Sequence, residues 1–255
     1  GDNTQFYDGT KGRLRPFALK YYRGKLYVGA VTTGEGVGAV STTDNNAGNP
    51  EYTDLWAYIF EFDPATNTWT SAPVLQFPLN FNRGLDGDGY NETFALWKNT
   101  SMTTGFTWTG ANNIRMFYAQ AMLTDIEFDP NDGSMILGLR DRIGDQIGHF
   151  QNKLNNAAGE VGTALGEILR AYRTSSCSFE LETNGKEGAS SPNAATTGAG
   201  NGQGPGGGEF YYQDNVYDAS DGNPNATFHN NTTEGSLALL PGTGNVMVTS
   251  MDPAD

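Results

Sequence analysis

One device recurs along this chain and constrains its fold more than any other feature: a short apolar strand runs into an Asp-Pro turn and out again. It reads Phe62-Asp63-Pro64 and Phe128-Asp129-Pro130, and Asp252-Pro253 echoes it. Proline presets φ for a turn and the aspartate side chain can bond the turn backbone, so each copy ends one strand and starts another. Four strand pairs follow from this reading. Phe17 to Val31 forms a hairpin about Arg23-Gly24-Lys25, and Leu55 to Phe62 turns into Thr68 to Thr70. Met122 to Phe128 returns as Ser134 to Leu139, and Gly235 to Leu240 as Asn245 to Ser250. Several hairpins separated by insertions predict an all-β, β-propeller-like fold of hairpin blades, with the propeller complete or incomplete. A β-sandwich is the alternative. The uneven spacing of the hairpins assigns the excess length to insertions within a single domain or fragment over 1–255.

Two stretches break the β pattern. Over 145–172, Ile147, Phe150, Leu154 and Ala158 stand near helical spacing and Leu165, Ile168, Leu169 and Tyr172 repeat it, which predicts one short helical insertion or two broken turns. From 183 to 208 the chain is rich in Gly, Asn, Ala and Ser with almost no apolar residue, the composition of a long loop. If such a loop is ordered, something must pack on it.

Composition excludes several function classes. With 15 Lys+Arg against 29 Asp+Glu the net charge is −14, so nucleic acid and anionic membrane surfaces are repelled. No apolar run approaches the roughly 18 to 20 residues of a membrane span. A single cysteine, Cys177, rules out an intrachain disulfide and Cys-rich metal sites. With His149 and His229 the only histidines, Ser/His/Asp triads and histidine-rich metal sites are nearly excluded.

Three constellations could carry chemistry. Asp125, Glu127 and Asp129 alternate with Ile126 and Phe128, so on a strand the acids share one face. Same-face neighbours lie about 7 Å apart, within the range of the carboxylate pairs of glycosidases, which makes Asp125 and Glu127 the catalytic alternative. The plainer reading is a solvated strand face ending in a turn. Arg140, Asp141, Arg142, Asp145 and Gln146 form a dense polar patch after an apolar strand. Arginine forks there suit a carboxylate or acidic sugar, hence a glycan ligand; the alternative is an internal ion-pair network tying blades together. Asp-rich loops at Asp86-Gly-Asp88, Asp129 to Asp132 and Asp218 to Asn225 place oxygen ligands at alternate positions, as Ca2+ requires, although none matches the full EF-hand loop. Tyr21, Tyr22, Trp56, Tyr58, Trp69, Trp97, Trp108, Tyr211 and Tyr212 are expected in core and inter-blade packing, with a sugar-stacking platform as the alternative. Sequons at Asn91, Asn99, Asn225, Asn230 and Asn231 arise by chance in a chain rich in Thr and Asn.

Taken in order, Arg15 to Gly29, Trp56 to Pro64, Phe77-Pro-Leu-Asn80 with Arg83-Gly84, Met122 to Asp129, Gly133 to Arg142, Gly166 to Arg170, Gly207 to Tyr211 and Gly235 to Gly244 cover most of the chain. Together they resemble a propeller-like region of large secreted bacterial surface proteins that carry SdrD B-like and other adhesin repeat domains. Gly24-Lys-Leu-Tyr-Val-Gly29 and Phe62 to Trp69 also resemble Kelch blades, without the Gly-Gly pair that ends a Kelch strand. The first resemblance implies an extracellular, cell-surface, non-enzymatic structural or adhesion module. Its partners would be the rest of its own polypeptide or neighbouring surface-protein subunits, and the segment would be the middle of a longer propeller.

Overall fold

The computed structural model describes residues 13–34, 55–84, 93–97, 115–117, 119–144, 151–152, 159–162, 165–174, 178–212, 216–217, 227–229, 233–240 and 242–250. Among them the chain is all-β. In chain order the strands are β1 (Leu14–Tyr22), β2 (Lys25–Thr32), β3 (Trp56–Asp63), β4 (Thr68–Trp69), β5 (Leu75–Pro78), β6 (Arg115–Phe117), β7 (Ala121–Phe128) and β8 (Met135–Asp141). They continue as β9 (Gln151–Asn152), β10 (Gly159–Gly162), β11 (Glu167–Arg173), β12 (Phe179–Leu181), β13 (Val216–Tyr217), β14 (Thr227–His229), β15 (Thr233–Leu239) and β16 (Val246–Ser250).

All four predicted hairpins form, each for a local reason. Arg23 and Gly24 both take positive φ, 47° and 82°, which gives the two-residue turn whose twist matches its flanking strands. In the repeated Asp-Pro turns, Asp63 Oδ1 accepts from Ala65 N and Asp129 Oδ1 accepts from Asn131 N, each at 2.9 Å. Asn67 (φ 55°) and Gly133 (φ 77°) then supply the left-handed residue that lets the next strand start.

The strands assemble into two main antiparallel meanders. One runs β1-β2-β3-β4, with β5 also on β3; the other runs β7-β8-β11-β12. They pack face to face around a core that includes Ala18, Tyr27, Val31, Ile59 and Phe77 from the first and Leu123, Ile126, Phe128, Leu137 and Leu169 from the second. Against the opposite face of the second meander lies the hairpin β15-β16, where Leu237 joins Ile136 and Ile168, with Leu239, Val246 and Val248 packed alongside. The described strands thus stack in three layers, meander on meander and hairpin on meander. No closed barrel forms. β6, β9 and β10 make a small separate sheet and β13 pairs with β14.

Two glycines set how close the hairpin comes. A Cβ on Gly138 of β8 would strike Gly235 O, and one on Gly166 would strike Leu139 O and Thr233 O. The backbone of β15 therefore passes directly over that of the second meander, which no side chain at position 138 would permit.

The helical insertion expected over 145–172 is corrected in part. Gln151–Asn152 and Gly159–Gly162 are strands, and the spacing Leu165, Ile168, Leu169, Tyr172 belongs to the approach to β11 and to β11 itself. β11 is buried on both faces from Glu167 to Ala171, so its apolar residues run together with no period of two and imitate a helix. Residues 145–150 and 153–158, including Ile147, Phe150, Leu154 and Ala158, lie outside the described residues. Over 183–208 the chain makes an isolated bridge, Thr183 to Lys186, and a 3-10 turn, Pro205–Gly207. No helix among the described residues is long and apolar enough to cross a membrane.

Candidate functional site

The three acids of β7 go to three different partners. Asp125 sits after a bulge that follows Leu123, and its Oδ2 accepts from Leu237 N of β15 at 2.8 Å while Oδ1 accepts from Ile126 N. Glu127 is ion-paired with Lys20 of β1. Asp129 is buried rather than solvated, and its Oδ2 meets Arg170 Nη2 at 2.9 Å. One carboxylate therefore ties the second meander to the hairpin, the next ties it to the first meander, and the third joins a buried ion cluster.

That cluster is centred on Arg170 of β11, whose side chain is 6% exposed. Its Nη2 also meets Asp132 Oδ2 at 2.9 Å and its Nε meets Glu187 Oε2 at 2.8 Å. Tyr211 Oη lies 3.2 Å from Nη1, and the guanidinium carbon stands 5.1 Å from the centre of the Phe210 ring. Glu187 in turn accepts from Ser191 Oγ at 2.7 Å, from Asn193 Nδ2 and from Ser134 Oγ. The long polar loop is ordered because its one deeply buried carboxylate grips this arginine. Burial works against the charge of Asp129, but the Asn131 N–H and the Arg170 guanidinium outweigh it and hold the carboxyl below its ordinary range. Burial also pushes the Tyr211 phenol up to about 12, against the pull of Arg170. Neither Arg170 nor Glu187 was singled out as a site residue by the sequence reading. The available signal was an arginine inside the otherwise apolar run Ile168-Leu169-Arg170-Ala171, a charge that a doubly buried strand can carry only if it is paired.

The same geometry bears on calcium. The turn Asp129 to Asp132 brings two carboxylates together, but a guanidinium fills the space between them. Asp86 and Asp88 lie outside the described residues, as does 218–226. Among the described residues no group of three or more His, Cys, Asp or Glu side chains is placed to hold a metal ion.

The polar patch after β8 is partly interior. Asp141 is 1% exposed; its Oδ1 accepts from Gln120 N (2.8 Å) and Ile143 N (3.0 Å), and its Oδ2 from Gly144 N (3.0 Å). Arg142 donates through Nε and Nη2 to Gln120 Oε1 and stands 4.8 Å from the Trp97 ring centre. Arg15 stands 6.0 Å from the same ring and Phe17 packs on it at 5.8 Å. Nearby, Arg83 is buried with Nη1 donating to Leu165 O (3.0 Å) and Gly166 O (2.7 Å) and its guanidinium 3.7 Å over Phe94. Arg140 is half-buried at the end of β8, and Asp145 and Gln146 lie outside the described residues. What the structure brings together here is a carboxylate that shapes a turn and arginines laid on aromatic rings. This matches the internal network weighed from the sequence more closely than it matches an open carbohydrate site.

Asp141 yields a titration that can be measured. Burial pushes its carboxyl from 3.8 up to about 6, against the pull of the Gln120 and Ile143 N–H groups, Arg83 and the Gly144 N–H. A folded value above the unfolded one means that its contribution to stability is full below about pH 4 and declines as the pH rises through 6. Carboxyl-carbon NMR of the folded protein is expected to show one aspartate with its midpoint near 6, absent in Asp141→Asn.

The aromatics divide between core and surface. Tyr22 and Phe128 stack at 4.1 Å between the two meanders, and Tyr27 meets Phe128 at 4.7 Å. On the other face of the first meander, Trp56, Tyr58 and Phe60 form a ladder along β3 and Phe62 meets Trp69 at 5.0 Å. Tyr21 and Trp69 on that face are exposed. Trp108 lies outside the described residues.

No family model matches the chain, and no solved structure matches it. Two curated proteins of Dictyostelium discoideum are similar to it. Colossin-A is 30% identical over 240 residues, which is 93% of this chain, and Colossin-B is 30% identical over 178 residues, 68% of this chain. The matched segments make up only 2% and 4% of those proteins, so nearly the whole of this chain is similar to a small stretch of two very long polypeptides.

Proposed function

We propose that the chain is a non-catalytic structural or adhesion module of a much longer extracellular, cell-surface polypeptide. One observation carries the absence of catalysis: each described acid of the candidate sites is spent on the fold. Asp125 is spent on a backbone N–H of the next layer, Glu127 on Lys20, Asp129 on Arg170 and Asp141 on three N–H groups. A glycosidase needs two carboxyl groups facing a common cleft with free oxygens, and Asp125 and Glu127 face different neighbours through their bonded oxygens. The great length of the two Colossins supports the modular reading. Both come from Dictyostelium discoideum, so a bacterial source belongs to the resemblance and not to these relatives.

Within this proposal the three stacked layers are consecutive blades of a propeller-like arc. Their first strands begin at residues 14, 121 and 233. Each leads into a hairpin of the same register, with Tyr21↔Leu26, Phe128↔Met135 and Leu239↔Val246 in equivalent places, and each first strand is irregular one turn upstream. Insertions account for the long intervals.

The test is the intact mass of the native polypeptide from its source. A mass far above 27.4 kDa is expected, and one near 27.4 kDa overturns the module reading. For the enzymatic alternative, the chain and its Glu127→Gln variant are expected to release no more reducing ends from polysaccharides than buffer does; turnover lost in the variant would reinstate the glycosidase.

A further inference from the structure

The three hairpins share a register, so their positions can be compared residue for residue. Leu19↔Val28, Ile126↔Leu137 and Leu237↔Val248 are equivalent pairs, as are Lys20↔Tyr27, Glu127↔Ile136 and Ala238↔Met247. The layers stack with one polarity. Ile126 and Phe128 look back onto the first meander and are 0% and 4% exposed, while Leu237 and Leu239 look back onto the second. Looking forward, Tyr27 is buried against the second meander and Ile136 against the hairpin β15-β16.

At the two ends of the stack the equivalent side chains are still apolar, but nothing covers them. Leu19 and Tyr21, in the places of Ile126 and Phe128, are 64% and 63% exposed. Met247, in the place of Tyr27 and Ile136, is 65% exposed. A large apolar side chain left in water at a position buried in its sister units forgoes about 1.5 to 3 kcal/mol of transfer free energy. These are backward and forward faces of the same contact, and the contact occurs twice inside the chain. The two ends are therefore complementary to each other.

We propose that the Leu19–Tyr21 face of one copy receives the Met247 face of a second copy, so that the protein associates head to tail. The interface would repeat the internal one: β1 of one molecule lies over the β16 hairpin of the next, with Leu19, Tyr21, Leu26 and Val28 on one side and Met247 on the other. Such a contact is heterologous, and it propagates into a ring or a filament rather than stopping at a dimer. It rests on the equivalence of the three units given above and names the partner of the proposed structural module.

Sedimentation velocity of the 255-residue chain over a wide concentration range tests it. Wild type is expected to grow beyond a dimer as concentration rises. Leu19→Lys with Tyr21→Lys, and separately Met247→Lys, are each expected to weaken association about tenfold or more. All three positions are exposed, so circular dichroism and the melting temperature should stay near wild type and separate lost contact from lost fold. Mixing the two variants is the decisive arm, because each keeps one intact end: a 1:1 complex that grows no further is expected. Wild type that stays monomeric, variants that associate like wild type, or a mixture that fails to pair would each overturn the proposal. So would saturable binding of a soluble polysaccharide to a monomer through Tyr21 and Trp69. A monomer together with a large native mass rejects self-recognition alone; association together with a native mass near 27.4 kDa rejects the long-chain reading alone.

Discussion

Replacing Arg170 by methionine is expected to destabilise the protein by about 3 to 5 kcal/mol at neutral pH, because it strands Asp129, Asp132 and Glu187 around an apolar side chain. Removing one partner of a buried ion pair costs more than the pair contributes, since the remaining charge keeps its desolvation cost without its attraction. The loss should include order in the 183–208 loop, whose buried carboxylate is held by the same guanidinium. Hydrogen exchange would show this as faster exchange at Gly185 to Ser191 before global unfolding. The pH dependence has a definite sign. Asp129 is held below its ordinary value in the folded protein, so its contribution is present above about pH 4 and is lost as the pH falls through the folded value. The gap between wild type and Arg170→Met, measured by urea denaturation, should therefore be wide at pH 7 and narrow at pH 3. Equal gaps would mean that the cluster acts through packing alone.

Gly138→Val is expected to be comparably severe for a different reason. The new Cβ would meet the carbonyl of Gly235 and the Cα behind it, and backbone cannot rotate out of the way as a long side chain can. Overpacking a core costs about 1 to 3 kcal/mol when neighbours can adjust, so about 3 kcal/mol or more is expected here. The readable consequence is separation of the third layer, because lifting β15 also breaks the bonds from Asp125 to Leu237 N and from Thr124 Oγ1 to Gly235 O. Faster exchange at Leu237 N with the two meanders still protected would show that the hairpin has left its seat. A variant within about 1 kcal/mol of wild type would contradict the close approach.

Much of the architecture was legible because turns are local. Arg23-Gly24 and the two Phe-Asp-Pro turns fix their own φ values and hydrogen bonds within a few residues, so the strands on either side were found with nearly correct ends. β11 was not found as a strand, because burial on both faces erases the alternation that marks one. The alternating acids of β7 were read as one solvated face, and Asp129 departed from it. Its fate depends on Arg170, 41 residues further along the chain.

The sequence by itself determined the all-β class, the hairpins and the acidic, cysteine-poor surface chemistry, since propensity, turn geometry and charge are properties of neighbouring residues. The tertiary structure decided which charges are buried together, that a guanidinium rather than a cation sits between Asp129 and Asp132, and why Gly138 must be glycine. It also decided that the three hairpins stack with one polarity and leave two complementary apolar ends. Those outcomes depend on which distant strands meet face to face, and contacts across a hundred residues leave no periodic trace in the chain that forms them.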